Sequence, residues 1–307
     1  MNRRPWGRGW PLARLAPLLL VAACCAFGPA AAEPGVAVSV PVNDIGDRPL
    51  ELPAFWFAAG ADRQPRPALV LLHGCGGPYD RGQRLSQRML DYAALARAEG
   101  WHALVVDSLS PRGETELCTQ RSGSRKVTQA QRRRDALAAL QWLARRPEVD
   151  ASRLALVGWS HGGGTVLAAS NRLHPDVERA TVKPRALVAF YPGCTTELKR
   201  GYGAVAPLLL LLGADDDWTP SAPCVELAAA ASSAARIEYR VYEGAHHGFD
   251  GEAPLRLRRD VPNGVQPGAG VHVGGQPQAR AASRAALRAF LQREFAAGSG
   301  NGARPSP

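Results

Sequence analysis

The sequence predicts an α/β fold, a mostly parallel, doubly wound sheet with helices on both faces. Three observations carry this expectation. Short apolar runs of the kind needed by strands covered on both sides recur at residues 68–72, 102–107, 154–158, 186–191 and 208–212. Stretches with helical spacing separate them, so strand alternates with helix and parallel crossovers follow. Finally, Val157-Gly158-Trp159-Ser160-His161-Gly162-Gly163-Gly164 sets a serine between a strand and an alanine-rich helix over residues 165–171. The turn is so tight that glycine stands two residues to either side, the G-x-S-x-G pattern that lifts a serine Oγ above the carboxyl edge of a sheet.

The 307 residues, 46% of them hydrophobic, suit one large domain with a sizeable core. Arg3, Arg4, Arg8 and Arg14 precede the apolar run 15–27 and then Ala30-Ala31-Ala32, a secretory signal too short to span a bilayer. Cleavage is expected after Ala32; Val21-Ala22-Ala23-Cys24 also resembles a lipobox, which would instead leave a lipid anchor on Cys24. The expected organisation is therefore a signal peptide over 1–32, a single α/β domain over 33–296 and a disordered tail over 297–307. The mature protein is expected to be periplasmic or secreted, with no spanning segment.

Loss of residues 1–32, which hold four arginines and no acid, lowers the formal net charge from +10 to +6. The densest basic run, Arg125-Lys126 with Arg132-Arg133-Arg134, lacks interleaved aromatics and reads as a solvated face rather than a nucleic-acid surface. Beyond the leader four cysteines remain, an even number that in an exported chain favours disulfides. Cys75 and Cys118 fall on loops at the carboxyl edge of the predicted sheet, as do Cys194 and Cys224, so the expected pairs are Cys75 with Cys118 and Cys194 with Cys224.

Taken in order, residues 36–42 and 50–57 form a leading hairpin around the turn composition Asn43-Asp44-Ile45-Gly46-Asp47. Strand 68–72 ends in His73-Gly74-Cys75-Gly76-Gly77, where backbone N–H groups can approach a ligand closely. Leu85, Met89, Tyr92 and Leu95 share a helical face over 82–99, and Gly100 stops it. After strand 102–107 comes a polar loop, 108–124. Thr128 and Gln131 form a capping box for a helix whose buried stripe is Leu137, Leu140, Leu143 and Ala144. Helices are expected at 222–235 and 281–295, flanking strand 237–242. Residues 252–277, rich in Gly, Pro and Arg without apolar periodicity, read as a mobile loop.

A serine hydroxyl becomes a nucleophile only when a positioned base takes its proton, and the base needs an acid to orient it. Acids follow strand 208–212 in Gly213-Ala214-Asp215-Asp216-Asp217-Trp218-Thr219-Pro220, and histidines follow strand 237–242 in Glu243-Gly244-Ala245-His246-His247-Gly248-Phe249. The order Ser, Asp, His is that of the α/β-hydrolase fold. In these segments, together with His73 to Gly77 and Gly158 to Gly163, the chain resembles the dienelactone hydrolase family over residues 68–249.

The resemblance implies Asp216 as the acid and His247 as the base, with Asp215 and Asp217 as neighbouring acids and His246 in the pocket wall. The founding members use cysteine where this chain has Ser160, so their dienelactone substrate does not carry over; the serine members resemble carboxylic-ester hydrolases. The expected reaction is acyl transfer from a small or medium ester or lactone to Ser160, with the backbone N–H groups of Cys75 and His161 receiving the oxyanion. No metal or cofactor is called for.

Arg112 could receive a substrate carboxylate or pair with Glu114 or Glu116. Trp159, Trp218 and His246 are the other candidate substrate contacts. Residues 192–207 are too few and too polar for a lipase lid, which would otherwise have to come from 252–277. A peptidase of the prolyl oligopeptidase type usually adds a propeller too large for 307 residues. A non-catalytic envelope binding protein would not need Ser160, Asp216 and His247 together.

Overall fold

In the computed structural model, which describes residues 35–60, 64–231 and 235–297, eight strands form one sheet in the order β1-β2-β4-β3-β5-β6-β7-β8. The leader with Cys24, and the tail from residue 298, lie outside the described residues. β1 (Val36–Asn43) and β2 (Pro49–Phe57) are the leading hairpin, and β2 runs antiparallel to β4 (His102–Val106). The other strands are parallel: β3 (Arg66–Leu72), β5 (Val149–Trp159), β6 (Ala186–Phe190), β7 (Leu208–Gly213) and β8 (Ile237–Tyr242).

The continuous apolar runs have a simple cause. Successive side chains of a strand point to opposite faces, and here both faces are roofed by helices. Val70, Leu72, Leu104, Leu156 and Leu210 pack against α2 (Gln129–Ala144), α3 (His161–Ser170) and α6 (Ala222–Ala230). Their neighbours Leu69, Leu71, Val105, Val157 and Leu211 pack on the other side against α1 (Gln87–Ala98) and α7 (Pro277–Ala296).

Several local expectations are corrected. The helix expected from residue 82 begins at Gln87, because Asp80 Oδ1 accepts from the Gly82 and Arg84 N–H groups and Gln83 turns to φ 57°, closing a non-helical turn first. The helix expected over 222–235 ends at Ala230. Two short helices, α4 (Pro175–Arg179) and α5 (Thr195–Arg200), are too brief to leave a periodic signal.

The largest correction concerns residues 252–277, read as a mobile loop. They contain β9 (Arg256–Arg258) and β10 (Val271–Val273), paired antiparallel. The hairpin is tied to the rest of the fold: the Gly274 N–H donates to the His247 carbonyl at 3.0 Å, and the Val265 N–H to that of Asp217 at 2.8 Å. Three-residue strands held by backbone bonds need no apolar alternation, which is why periodicity missed them. Among the described residues no helix is long and apolar enough to cross a membrane.

Candidate active site

Ser160 stands between β5 and α3 with φ 53° and ψ −115°, a conformation that costs a non-glycine residue on the order of 1–3 kcal/mol. The neighbouring glycines explain how the turn closes. A Cβ on Gly158 would come 2.2 Å from the Gly162 carbonyl oxygen, and one on Gly162 would come 2.0 Å from that of Leu72. Any side chain at either position would push the elbow off the end of β3.

His247 and Asp216 reach the serine from the loops after β8 and β7. His247 Nε2 lies 2.8 Å from Ser160 Oγ, and His247 Nδ1 lies 2.9 Å from Asp216 Oδ2. Asp216 Oδ1 also accepts from the Trp218 and Thr219 N–H groups at 2.9 and 2.8 Å, and Oδ2 from Thr219 Oγ1 at 3.1 Å. The rings of Tyr191 and Trp218, at 4.6 and 4.5 Å between centroids, enclose the imidazole. Gly213 lets the loop after β8 approach, since a Cβ there would sit 2.3 Å from the Ala245 carbonyl oxygen.

The loop after β3 lies against the elbow, with Gly74 placed so that a Cβ would contact the Trp159 carbonyl oxygen at 3.5 Å. His161 is the first residue of α3, so its N–H has no intrahelical acceptor. The Cys75 N–H likewise meets no backbone acceptor among the described residues. Cys75 is joined to Cys118, and Cys194 to Cys224.

A cavity of about 300 Å³ opens over Ser160, lined by Cys75, His161, Arg125, Trp218 and Asn263 among others. Its rim is polar because loop 108–124 meets the β9-β10 segment there: Asn263 Nδ2 donates to the Gln120 carbonyl at 2.9 Å, and its Oδ1 accepts from the Ser122 N–H at 3.0 Å.

Three expected substrate contacts are placed elsewhere. Arg112 is committed to neither substrate nor Glu114 nor Glu116: its guanidinium is buried between Asp44 and Asp135, bonded to both carboxylates at 2.8 to 3.2 Å. It fastens the turn of the leading hairpin to α2. Trp159 is 1% exposed, stacked on Phe190 and tilted against Tyr92 in the core. His246 is absent from the cavity lining and packs on His272 at 5.3 Å. Trp218 does line the cavity.

Asp217, His246 and His272 have donor atoms within 4.8 Å of one another, the one such grouping among the described residues able to hold a metal ion. The Asp217 carboxylate is already engaged by the His272 N–H and Nδ1, at 2.8 and 2.7 Å.

Sequence reading missed two supports. Asp250 is buried at the far side of Tyr191, where it accepts from Tyr191 Oη at 2.6 Å and Tyr92 Oη at 3.0 Å and pairs with Arg88. Arg132, counted among a solvated basic run, is fully buried behind the elbow. It donates to the His73 carbonyl at 2.8 Å and meets His161 Nδ1 at 2.9 Å. Burial pulls its pKa down to about 10, leaving it charged at neutral pH. Burial, and secondarily the Arg132 charge, hold both His73 and His161 well below the ordinary imidazole value. No local signal marked Arg132, since helical periodicity alone cannot tell a buried cation from a solvated one.

Strand order, helices on both faces and a serine elbow at the carboxyl edge define the α/β-hydrolase fold. Within it, the chain belongs to the dienelactone hydrolase family, whose family model matches residues 56–288. Among solved structures it is similar to the dienelactone hydrolase-like promiscuous phosphotriesterase P91 from metagenomic libraries: 22% identity, TM-score 0.60, covering 85% of this chain and 99% of that one. It is also similar to esterase 2 of Thermogutta terrifontis, at 15% identity and TM-score 0.59, covering 84% of this chain and 95% of that one. A curated relative, acylamino-acid-releasing enzyme 1 of Oryza sativa subsp. japonica, is 32% identical over 111 residues. That match covers 35% of this chain and only 13% of the relative's length.

Proposed function

We propose that the protein is an exported serine hydrolase that cleaves small to medium carboxylic esters or lactones through an acyl-enzyme. The observation that carries this reading is the unbroken hydrogen-bonded line from Ser160 Oγ, which lines an open cavity, through His247 to Asp216. Ser160 attacks the ester carbonyl as His247 Nε2 takes its proton, and Asp216 holds the imidazole and stabilises the imidazolium. The N–H groups of Cys75 and His161 receive the oxyanion, and loss of one such donor typically costs about 3 kcal/mol. His247 then protonates the leaving alcohol, and water repeats the sequence on the acyl-enzyme.

The polar rim built by Gln120, Ser122 and Asn263 supports short acyl groups, because an added methylene contributes its ~0.8 kcal/mol only where apolar wall receives it. Two disulfides support an oxidising compartment, and with it the leader over 1–32 ahead of a single domain over 33–296. A fluorophosphonate probe should label Ser160, and kcat/KM across p-nitrophenyl esters should fall from short acyl chains towards palmitate. A rise towards palmitate would replace this reading with a lipase. The partial match to an acylamino-acid-releasing enzyme favours a second reading, hydrolysis of short acylated amides, which turnover of N-acetyl-amino-acid anilides above that of the esters would establish.

A further inference from the structure

His161 contributes only its backbone N–H to the chemistry above, yet its carbonyl and its ring are each held by further partners. Gln129 Nε2 donates to the His161 carbonyl at 2.9 Å, and Thr165 Oγ1 bridges the same carbonyl and Gln129 Oε1 at 3.0 and 2.8 Å. The ring meets Arg132, 0% exposed, whose Nη1 lies 2.9 Å from His161 Nδ1. A guanidinium carries donors and no acceptor, so Nδ1 must be the acceptor and the ring proton must sit on Nε2.

The cations around the ring oppose a second proton: Arg132 from α2 and Arg125 from the preceding loop. Among the described residues no protein group accepts from Nε2, and His161 lines the cavity beside Ser160.

We propose that the His161 imidazole, locked as the neutral Nε2–H tautomer, donates a hydrogen bond to a second acceptor oxygen of the substrate, and that Arg132 is the positioning residue that locks it. The inference rests on the ester-hydrolase reading and narrows it. The scissile carbonyl oxygen is occupied by backbone N–H groups, so the Nε2–H is available to an ether, hydroxyl or second carbonyl oxygen elsewhere in the ester. A substrate that offers only methylene there leaves the donor unpaired, and one that offers an N–H or ammonium meets a ring that cannot accept.

The test compares isosteric esters that exchange CH2 for oxygen: p-nitrophenyl methoxyacetate against butanoate on the acyl side, and 2-methoxyethyl acetate against butyl acetate on the alcohol side. In one pair, His161→Leu should lower the oxygen-over-methylene ratio of kcat/KM about tenfold relative to wild type, the worth of one neutral hydrogen bond. His161→Gln, which keeps a donor, should preserve that ratio within about threefold. Both ratios unchanged in a His161→Leu enzyme that still labels with fluorophosphonate would overturn the donor role while leaving the serine-hydrolase reading intact; wild type that fails to label would instead remove that reading.

Nitrogen NMR of histidine-labelled wild type supplies a readout independent of turnover. From pH 5.5 to 9 the His161 ring should keep the neutral Nε2–H pattern, and Arg132→Met should unlock the tautomer so that the Nδ1–H form appears, with Arg132→Lys restoring part of the lock. An Nδ1–H tautomer, or a ring that titrates near its ordinary value in wild type, would overturn the proposal even if the Arg132 variants do not fold.

Discussion

The two halves of the candidate site are built by different means. The elbow around Ser160 lies within one strand-turn-helix unit, and its glycines are demanded by backbone atoms 2.0 to 2.2 Å from where a Cβ would stand. The Asp216-His247 half comes from two loops whose key residues are 31 apart, and it is held by donated hydrogen bonds, enclosing rings and a hairpin laid over it. Backbone clearance within a single unit governs the first half, whereas the second adds to the close approach at Gly213 a set of polar commitments across two loops.

The largest expected effect removes the proposed nucleophile: Ser160→Ala should lower kcat by roughly 10⁴ to 10⁶ while the melting curve stays put, because only Oγ is lost. On the other half, Asp216→Asn should lower kcat by about 10⁴, through loss of the imidazole's orientation and charge partner. A variant retaining more than a tenth of wild-type kcat would mean that the acid loop does not serve His247.

Next in size is a stability effect outside both halves. Arg112→Met leaves Asp135 buried without its bidentate partner and Asp44 with the longer Arg48 contact at 3.8 Å, and should cost about 3–5 kcal/mol in denaturant unfolding, with KM unchanged in the folded fraction. A KM effect without a stability effect would return Arg112 to the substrate.

The smallest effect is one of pH. His73 and His161 are held neutral in the fold, so below pH 6.5 the unfolded chain binds protons that the native protein does not. Their contribution is fully present above pH 6.5 and should fall by up to ~1.4 kcal/mol per pH unit for each ring as acid is added. Urea midpoints at pH 7.5, 6 and 5 measure this, and His161→Gln should make the slope shallower.

The same division explains how much of the molecule was legible in its sequence. The parallel sheet could be read because two-faced burial leaves apolar runs such as Leu208 to Leu212. The residues that meet at Ser160 were legible because each follows a strand and two are framed by glycine. Arg112 and Arg132 were not, since nothing local separates an arginine facing a pocket from one buried against Asp135 or His161. The β9-β10 hairpin was missed for a related reason: its attachment at His247 is through backbone groups, which every sequence possesses, and at Asp217 it adds a side-chain pairing with His272, 55 residues away, that no local pattern announces.

Asp216 accepts from the Trp218 N–H, the Thr219 N–H, Thr219 Oγ1 and His247 Nδ1. A carboxylate has about four lone-pair directions, so its valence is filled. An amide of the same shape would have to turn its NH2 towards Thr219 Oγ1 and His247 Nδ1, which can accept only if the hydroxyl rotates and the imidazole proton moves to Nε2. The negative charge at this position thus decides on which side of the imidazole its proton rests.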